Sequence, residues 1–161
     1  MKNVVLILIS LLFLNASATV LKGGISEDNI PKGFFGSWGV ISKIINTTNP
    51  ELFNKQSKDI WTLSGYSNVL ILENLESGAH SRIEVDKTSS ENVLKFKRKK
   101  VVENKKEKII YIETVCFTLN GNNFSGSDDF IVEKYENNKL ISKDSAKYRV
   151  EGVKISGVAP N

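Results

Sequence analysis

The densest group of hard oxygen ligands in the chain is Asp128 and Asp129 with Glu133 close behind, in the segment "SDDFIVE". Calcium binding needs several such oxygens spaced around a glycine turn, and that spacing is missing. On a strand, adjacent residues face opposite sides, so at most one of Asp128 and Asp129 turns inward. An inward Asp128 would be a polar anchor for an enclosed ligand. Otherwise the three carboxylates belong to the surface or an edge. His80 is the only histidine. One histidine makes no multi-histidine zinc site, and no local motif brings a serine and an acid to it as a catalytic base. Cys116, the only cysteine, stands in "YIETVCFTL" and reads as a buried, inert packing thiol. No phosphate-cradling glycine loop is present. The expectation is a protein that is not an enzyme, with no catalytic residue, no metal and no cofactor.

The second group with a chemical character is basic. Between positions 91 and 108, eight basic residues stand against three acidic ones. Lys95, Lys97 and Lys99 share a face opposite Leu94 and Phe96, which makes an outward charged row on a half-buried strand. Such a row serves solubility and edge protection, or it meets an anionic partner such as a lipid head-group surface or an acidic cell-wall polymer. The formal net charge is +4. Outside this segment and the N-terminal leader, acidic residues slightly outnumber basic ones, which excludes a nucleic-acid binder with basic charge spread over a whole face.

Strands must position these residues. From Phe34 onward apolar residues recur at period two, and proline is nearly absent until Pro160. "SAKYRVEG" alternates Ala146, Tyr148 and Val150 against Lys147, Arg149 and Glu151, giving one dry and one wet side. "RIEVDK" repeats this with Ile83 and Val85 inward. Nine strands are expected, at 36–45, 59–64, 68–73, 80–86, 92–101, 108–119, 123–135, 139–150 and 153–157, with one short helical turn at 50–54. The links between them are short and polar, which specifies an antiparallel meander, since parallel pairing needs long crossovers. "TLNGNNFSG" and "RVEGVKISG" echo each other and read as two hairpins with glycine at the turn. A sheet of about eight strands with successive neighbours paired hides its edges by closing. The expected fold is all-β, a single antiparallel up-and-down β-barrel occupying 33–158.

The chain opens "MKNVVLILISLLFLNASATV": Lys2, an apolar run from Val4 to Leu14 broken only by Ser10, then Ala16-Ser17-Ala18. This is the pattern of a signal peptide over 1–18, cut before Thr19. The run spans only about 17 Å as a helix, against roughly 30 Å of bilayer hydrocarbon, so no stable membrane insertion is expected. Residues 19–32, with Gly23-Gly24 and Pro31, read as a flexible exposed segment. An exported chain with one cysteine has no internal disulfide, which favours bacterial export, with a periplasmic or extracellular destination, over a cystine-stapled module.

Gly36-Ser37-Trp38, behind Phe34-Phe35 and ahead of the meander, resembles the lipocalin signature and, more broadly, the lipocalin-like barrels of small exported bacterial proteins. The resemblance implies that Trp38 closes the narrow end of the barrel with a basic residue of the last strand over its indole, Arg149 or Lys154. It also implies an interior for a small apolar or amphipathic ligand, here lined by Ile83, Val85, Asp128, Tyr148 and Val150. The alternative is a filled barrel acting as an interaction module through Lys95, Lys97 and Lys99. Either form is expected to be a monomer.

Overall fold

The computed structural model describes residues 30–66, 69–86, 89–104 and 106–157. The expected leader over 1–18 lies outside them, as does most of the segment 19–32. Eight strands follow one another: β1 (Gly36–Thr47), β2 (Gln56–Tyr66), β3 (Val69–Asn74), β4 (Ala79–Glu84), β5 (Val93–Glu103), β6 (Glu107–Asn120), β7 (Asn123–Glu136) and β8 (Lys139–Ser156). They form one antiparallel sheet in the order β4-β3-β2-β1-β8-β7-β6-β5. Every neighbour is therefore a sequence neighbour except β1 and β8, whose pairing brings the two ends of the domain together.

The two edge strands meet to make a nearly closed barrel. Just beyond β4, Val85 bridges Phe96 of β5, and the Asp86 amide donates to the Lys95 carbonyl at 2.8 Å. Arg98 Nη1 donates across the same seam to Ser81 Oγ at 2.9 Å. Closure satisfies backbone groups that an open edge would leave to water or to another chain. Among the described residues, no helix is long and apolar enough to cross a membrane.

Alternate residues of every strand fill the interior. At the end where the domain begins, Trp38 is fully buried. Its indole lies 5.0 Å from the Phe124 ring, edge to face. Phe117 stacks on Phe124 at 4.9 Å, and a single 3₁₀ turn, Lys32–Phe34, lays Phe34 across the opening, 6.0 Å from Phe124. The Trp38 Nε1 donates to the Phe34 carbonyl at 2.7 Å, which satisfies the one polar atom of the ring. Residues 30 and 31 are also buried, so the exposed segment expected up to Lys32 ends earlier than its composition suggests. Pro31 is there a start signal for the plug rather than the tail of a leader.

The expected pair of strands at 139–150 and 153–157 is one strand, β8. The two echoing segments differ physically. Gly121 turns the β6–β7 hairpin with φ +57, whereas Gly152 lies inside the ladder, paired with both Val40 and Phe124. A Cβ at Gly152 would stand 2.2 Å from the Phe124 ring. Gly152 is a clearance for that ring, not a turn. The β7–β8 hairpin turns instead at Asn137 and Asn138, both with positive φ, the two-residue turn that "YENNK" encodes.

Gly152→Ala is expected to destabilise the fold by about 1–3 kcal/mol through overpacking, and adding Phe124→Leu should recover part of the loss. Trp38→Ala should cost about 3–5 kcal/mol. Urea unfolding measures both; an unchanged midpoint for Gly152→Ala, or no recovery in the double variant, would overturn the clearance role.

Candidate functional site

The interior polar residues come from the same alternation that builds the core. On β5, Leu94 and Phe96 point inward and the next inward position is Arg98. On β6, Val115 and Phe117 point inward and the next is Glu113. Arg98 and Glu113 are directly opposed in the ladder, and the guanidinium Nη2 forms an ion pair with Glu113 Oε2. On β7, Phe124 and Phe130 face inward with Asp128 between them. Asp128 is opposed to Tyr148 of β8 and lies one step diagonally from Glu113. Four adjacent strands thus place Arg98, Glu113, Asp128 and Tyr148 in a belt on one wall, which Arg98 extends across the seam to Ser81.

Most of this belt is sealed. Asp128 Oδ1 and Tyr148 Oη are cut off from solvent and have no hydrogen-bond partner; Ser57 Oγ on β2 and Glu113 Oε2, which keeps its ion pair with Arg98, are also sealed without one. Burial, then the negative charge of Glu113, holds the Asp128 carboxyl well above the usual carboxylate range, with Arg98 pulling the other way. A hydrogen bond between Asp128 and Glu113 raises it further. Asp128 therefore keeps its proton to higher pH than an ordinary aspartate, beside the Arg98–Glu113 ion pair. Tyr148 is pushed up to about 12, first by burial and then by Asp128. The phenol is neutral, and an unpaired buried hydroxyl is costly to keep.

Above the belt, the end away from Trp38 is aromatic. Phe130 lies 6.0 Å from Phe53 in an edge-on arrangement and 6.3 Å from Tyr111. Phe53 and Leu52 are buried and come from the β1–β2 loop. That loop is latched to β8. The Thr48 amide donates to the Ser145 carbonyl at 3.0 Å, the Ser145 amide donates to Thr48 Oγ1 at 2.8 Å, and Asn49 Nδ2 donates to Asp144 at 3.2 Å. The loop makes a single turn at 50–52, near the expected one. The Arg98 and Glu113 side chains each keep 15% of their exposure, so the belt reaches solvent at that point.

The residues singled out in the sequence fall on both faces of the wall. Ile83, Val85 and Val150 are buried in the lining together with Tyr148. Asp128 faces inward and Asp129 outward, where Asp129 pairs with Lys147 at 3.1 Å. Glu133 also faces outward and pairs with Lys143 at 2.9 Å. Arg149 does not cover Trp38: it points outward, 67% exposed, and pairs with Glu151 at 2.8 Å. Lys154 takes that place. A register shift in β1–β8 beside Trp38 brings Lys154 Nζ to 5.0 Å from the indole centroid and 3.1 Å from the Gly33 carbonyl. Burial lowers the Lys154 pKa. Cys116 is not a core thiol: it faces outward and is partly exposed, opposite Lys95 and Ser127. His80 is exposed on β4.

The belt contains two residues that the sequence reading did not place inside. Arg98 looks like one more member of a basic run, and Glu113 stands in "IIYIETV" without a partner in sight. The signal was the alternation itself, continued two residues past Phe96 and two residues before Val115.

Because the folded barrel keeps a proton on Asp128 at pH values where the unfolded chain has lost it, the stability from this group is full below the ordinary carboxylate value. It is lost as pH rises through the raised folded value. Relative to Asp128→Asn, the wild-type urea midpoint should therefore fall as pH climbs above about 4. A constant difference across pH would contradict the raised Asp128 value.

Comparison of the chain with protein-family models, with curated proteins and with solved structures returns no match in any of the three.

Proposed function

We propose that this protein is an exported, lipocalin-like binding protein that holds one small amphipathic ligand in its barrel. The ligand's apolar part would lie against Phe53, Phe130 and Tyr111, and its polar part at Asp128 and Tyr148. One observation carries the reading: two sealed polar atoms, Asp128 Oδ1 and Tyr148 Oη, face the interior without partners. A packed core without a ligand role gains nothing from such atoms, and a ligand group that bonds both removes their cost. The described groups of the belt are an ion pair, a buried carboxyl raised above the usual carboxylate range and a neutral phenol. They suit recognition rather than nucleophilic chemistry, so the reading is of a binding protein and not an enzyme.

The second reading, a surface module, rests on the outer side of β5. Lys95, Lys97 and Lys99 face Cys116, Thr114 and Ile112 across the ladder, so no carboxylate stands directly opposite the row. An anionic lipid or cell-wall surface would meet three aligned ammonium groups there.

Uptake of an apolar fluorescent probe such as N-phenylnaphthylamine separates the two. The container reading expects probe fluorescence that is indifferent to joint Lys95→Gln, Lys97→Gln and Lys99→Gln replacement and to 1 M salt, where the Debye length is roughly 3 Å. No uptake, together with salt-sensitive sedimentation with anionic vesicles, would replace it by the surface module. Export is tested by the intact mass of the secreted protein, expected to begin at Thr19; a full-length chain recovered with membranes would reject that part of the proposal.

A further inference from the structure

The interior belt has a charge inventory that selects among ligands. Two carboxyl groups, Glu113 of β6 and Asp128 of β7, face one guanidinium, Arg98 of β5, which is already committed to Glu113 and to Ser81. The other inward neighbours are Tyr148 of β8 and Ile44 of β1, opposed in the ladder, and Phe53 of the latched loop. Lys100, two residues along β5, is opposed to Tyr111 toward the mouth. Asp129, next to Asp128, faces outward and adds negative charge. Among the described residues no ion pair reaches Asp128, and burial raises its carboxyl above the usual carboxylate range.

We infer that the barrel takes a primary ammonium group on an apolar stem, which enters the belt between Asp128 and Tyr148. This inference rests on the container reading above. The balance is simple: the ligand enters with its positive charge, the Asp128 carboxyl releases one proton to solvent, and the site ends with two carboxylates facing two cations. No covalent bond changes. An ammonium has three donors, and the sealed, unpartnered Asp128 Oδ1 and Tyr148 Oη are acceptors for two of them. Phe130, Phe53 and Tyr111 border the belt, and aromatic faces attract a cation in a desolvated place. A carboxylate ligand would meet two carboxyl groups and is disfavoured. An alcohol could satisfy the same oxygens but would leave the proton where it is.

The test uses the mature chain and three probes of equal length: n-octylammonium, n-octanol and n-octanoate. Calorimetric titration in two buffers of different ionisation enthalpy counts the protons exchanged on binding. Octylammonium should bind most tightly and release about one proton at pH values below the raised Asp128 value. Its affinity should rise with pH by up to about tenfold per unit until the free protein has lost that proton. Asp128→Asn should abolish the release and cut the preference for octylammonium over octanol roughly ten- to hundredfold. If that variant does not fold, the proton count on the wild-type chain decides alone. Octylammonium binding no tighter than octanol, with no proton released, overturns the ammonium site and leaves the container reading standing. Failure of all three probes to bind overturns both.

Discussion

The pairing of β1 with β8 is the constraint on which the rest of this molecule depends. It joins residues about a hundred or more positions apart, from Ser37 opposite Ser156 to Thr47 opposite Ala146, and without it the strands would form an open sheet with two long edges. Once the first and last strands are side by side, the twist of the sheet carries β4 round to β5, and the Val85–Phe96 bridge follows. The same pairing sets Lys154 over Trp38. It also sets Val40 opposite Gly152, whose other neighbour, across β7–β8, is Phe124, so the aromatic plug forms where the chain lacks a side chain. Loop-closure entropy opposes a contact of this span. The buried cluster of Phe34, Trp38, Phe117 and Phe124 is what offsets it.

Closure leaves each strand no choice about which residues go inside. A period of two, once Leu94 and Phe96 are committed to the core, puts Arg98 there as well, and Val115 and Phe117 do the same to Glu113. A salt bridge placed inside in this way is weak support for stability, because desolvation of both charges consumes most of the attraction. Adding a second carboxyl beside it, with one of its oxygens sealed and unpaired, lowers stability further. Such an arrangement is the kind of stability cost that functional sites carry. That cost is what the proposed ligand role would offset.

Much of the architecture is legible in the sequence because alternation is a local property. The strand pattern, the meander and the inward positions of Ile83, Val85, Asp128, Tyr148 and Val150 all follow from counting by twos, and "YENNK" spells its own turn. What was not legible depended on partners distant in sequence. Gly152 reads as a turn until Phe124 is seen beside it. Arg149 and Lys154 both stand near the end of the chain as basic partners for the indole, but Arg149 lies on the wet side of β8 and pairs with Lys43 in the ladder, whereas Lys154 stands opposite Trp38. Arg98 is hidden by its neighbours, since a lone inward charge among outward ones has the composition of a surface. Cys116 shows the converse error: apolar neighbours on both sides suggested a core residue, although β6 turns Val115 and Phe117 inward and so must turn Cys116 out.

Strand β5 carries the two opposite charge environments of the protein on its two faces. Lys95, Lys97 and Lys99 stand outward in water, where each ammonium keeps its hydration and interacts weakly with anything beyond a Debye length. Arg98 lies between them in sequence but on the other side of the wall, where the same unit of charge acts in a medium that screens it far less. A single guanidinium there pairs with Glu113 and pulls against the burial that raises Asp128, whereas the three lysines outside face water. For a barrel this small, the face on which a charge lies therefore matters more than how many charges the segment contains. The counted basicity of 91–108 describes the outer surface, and the chemistry of the interior is set by the one basic residue of that run paired with Glu113.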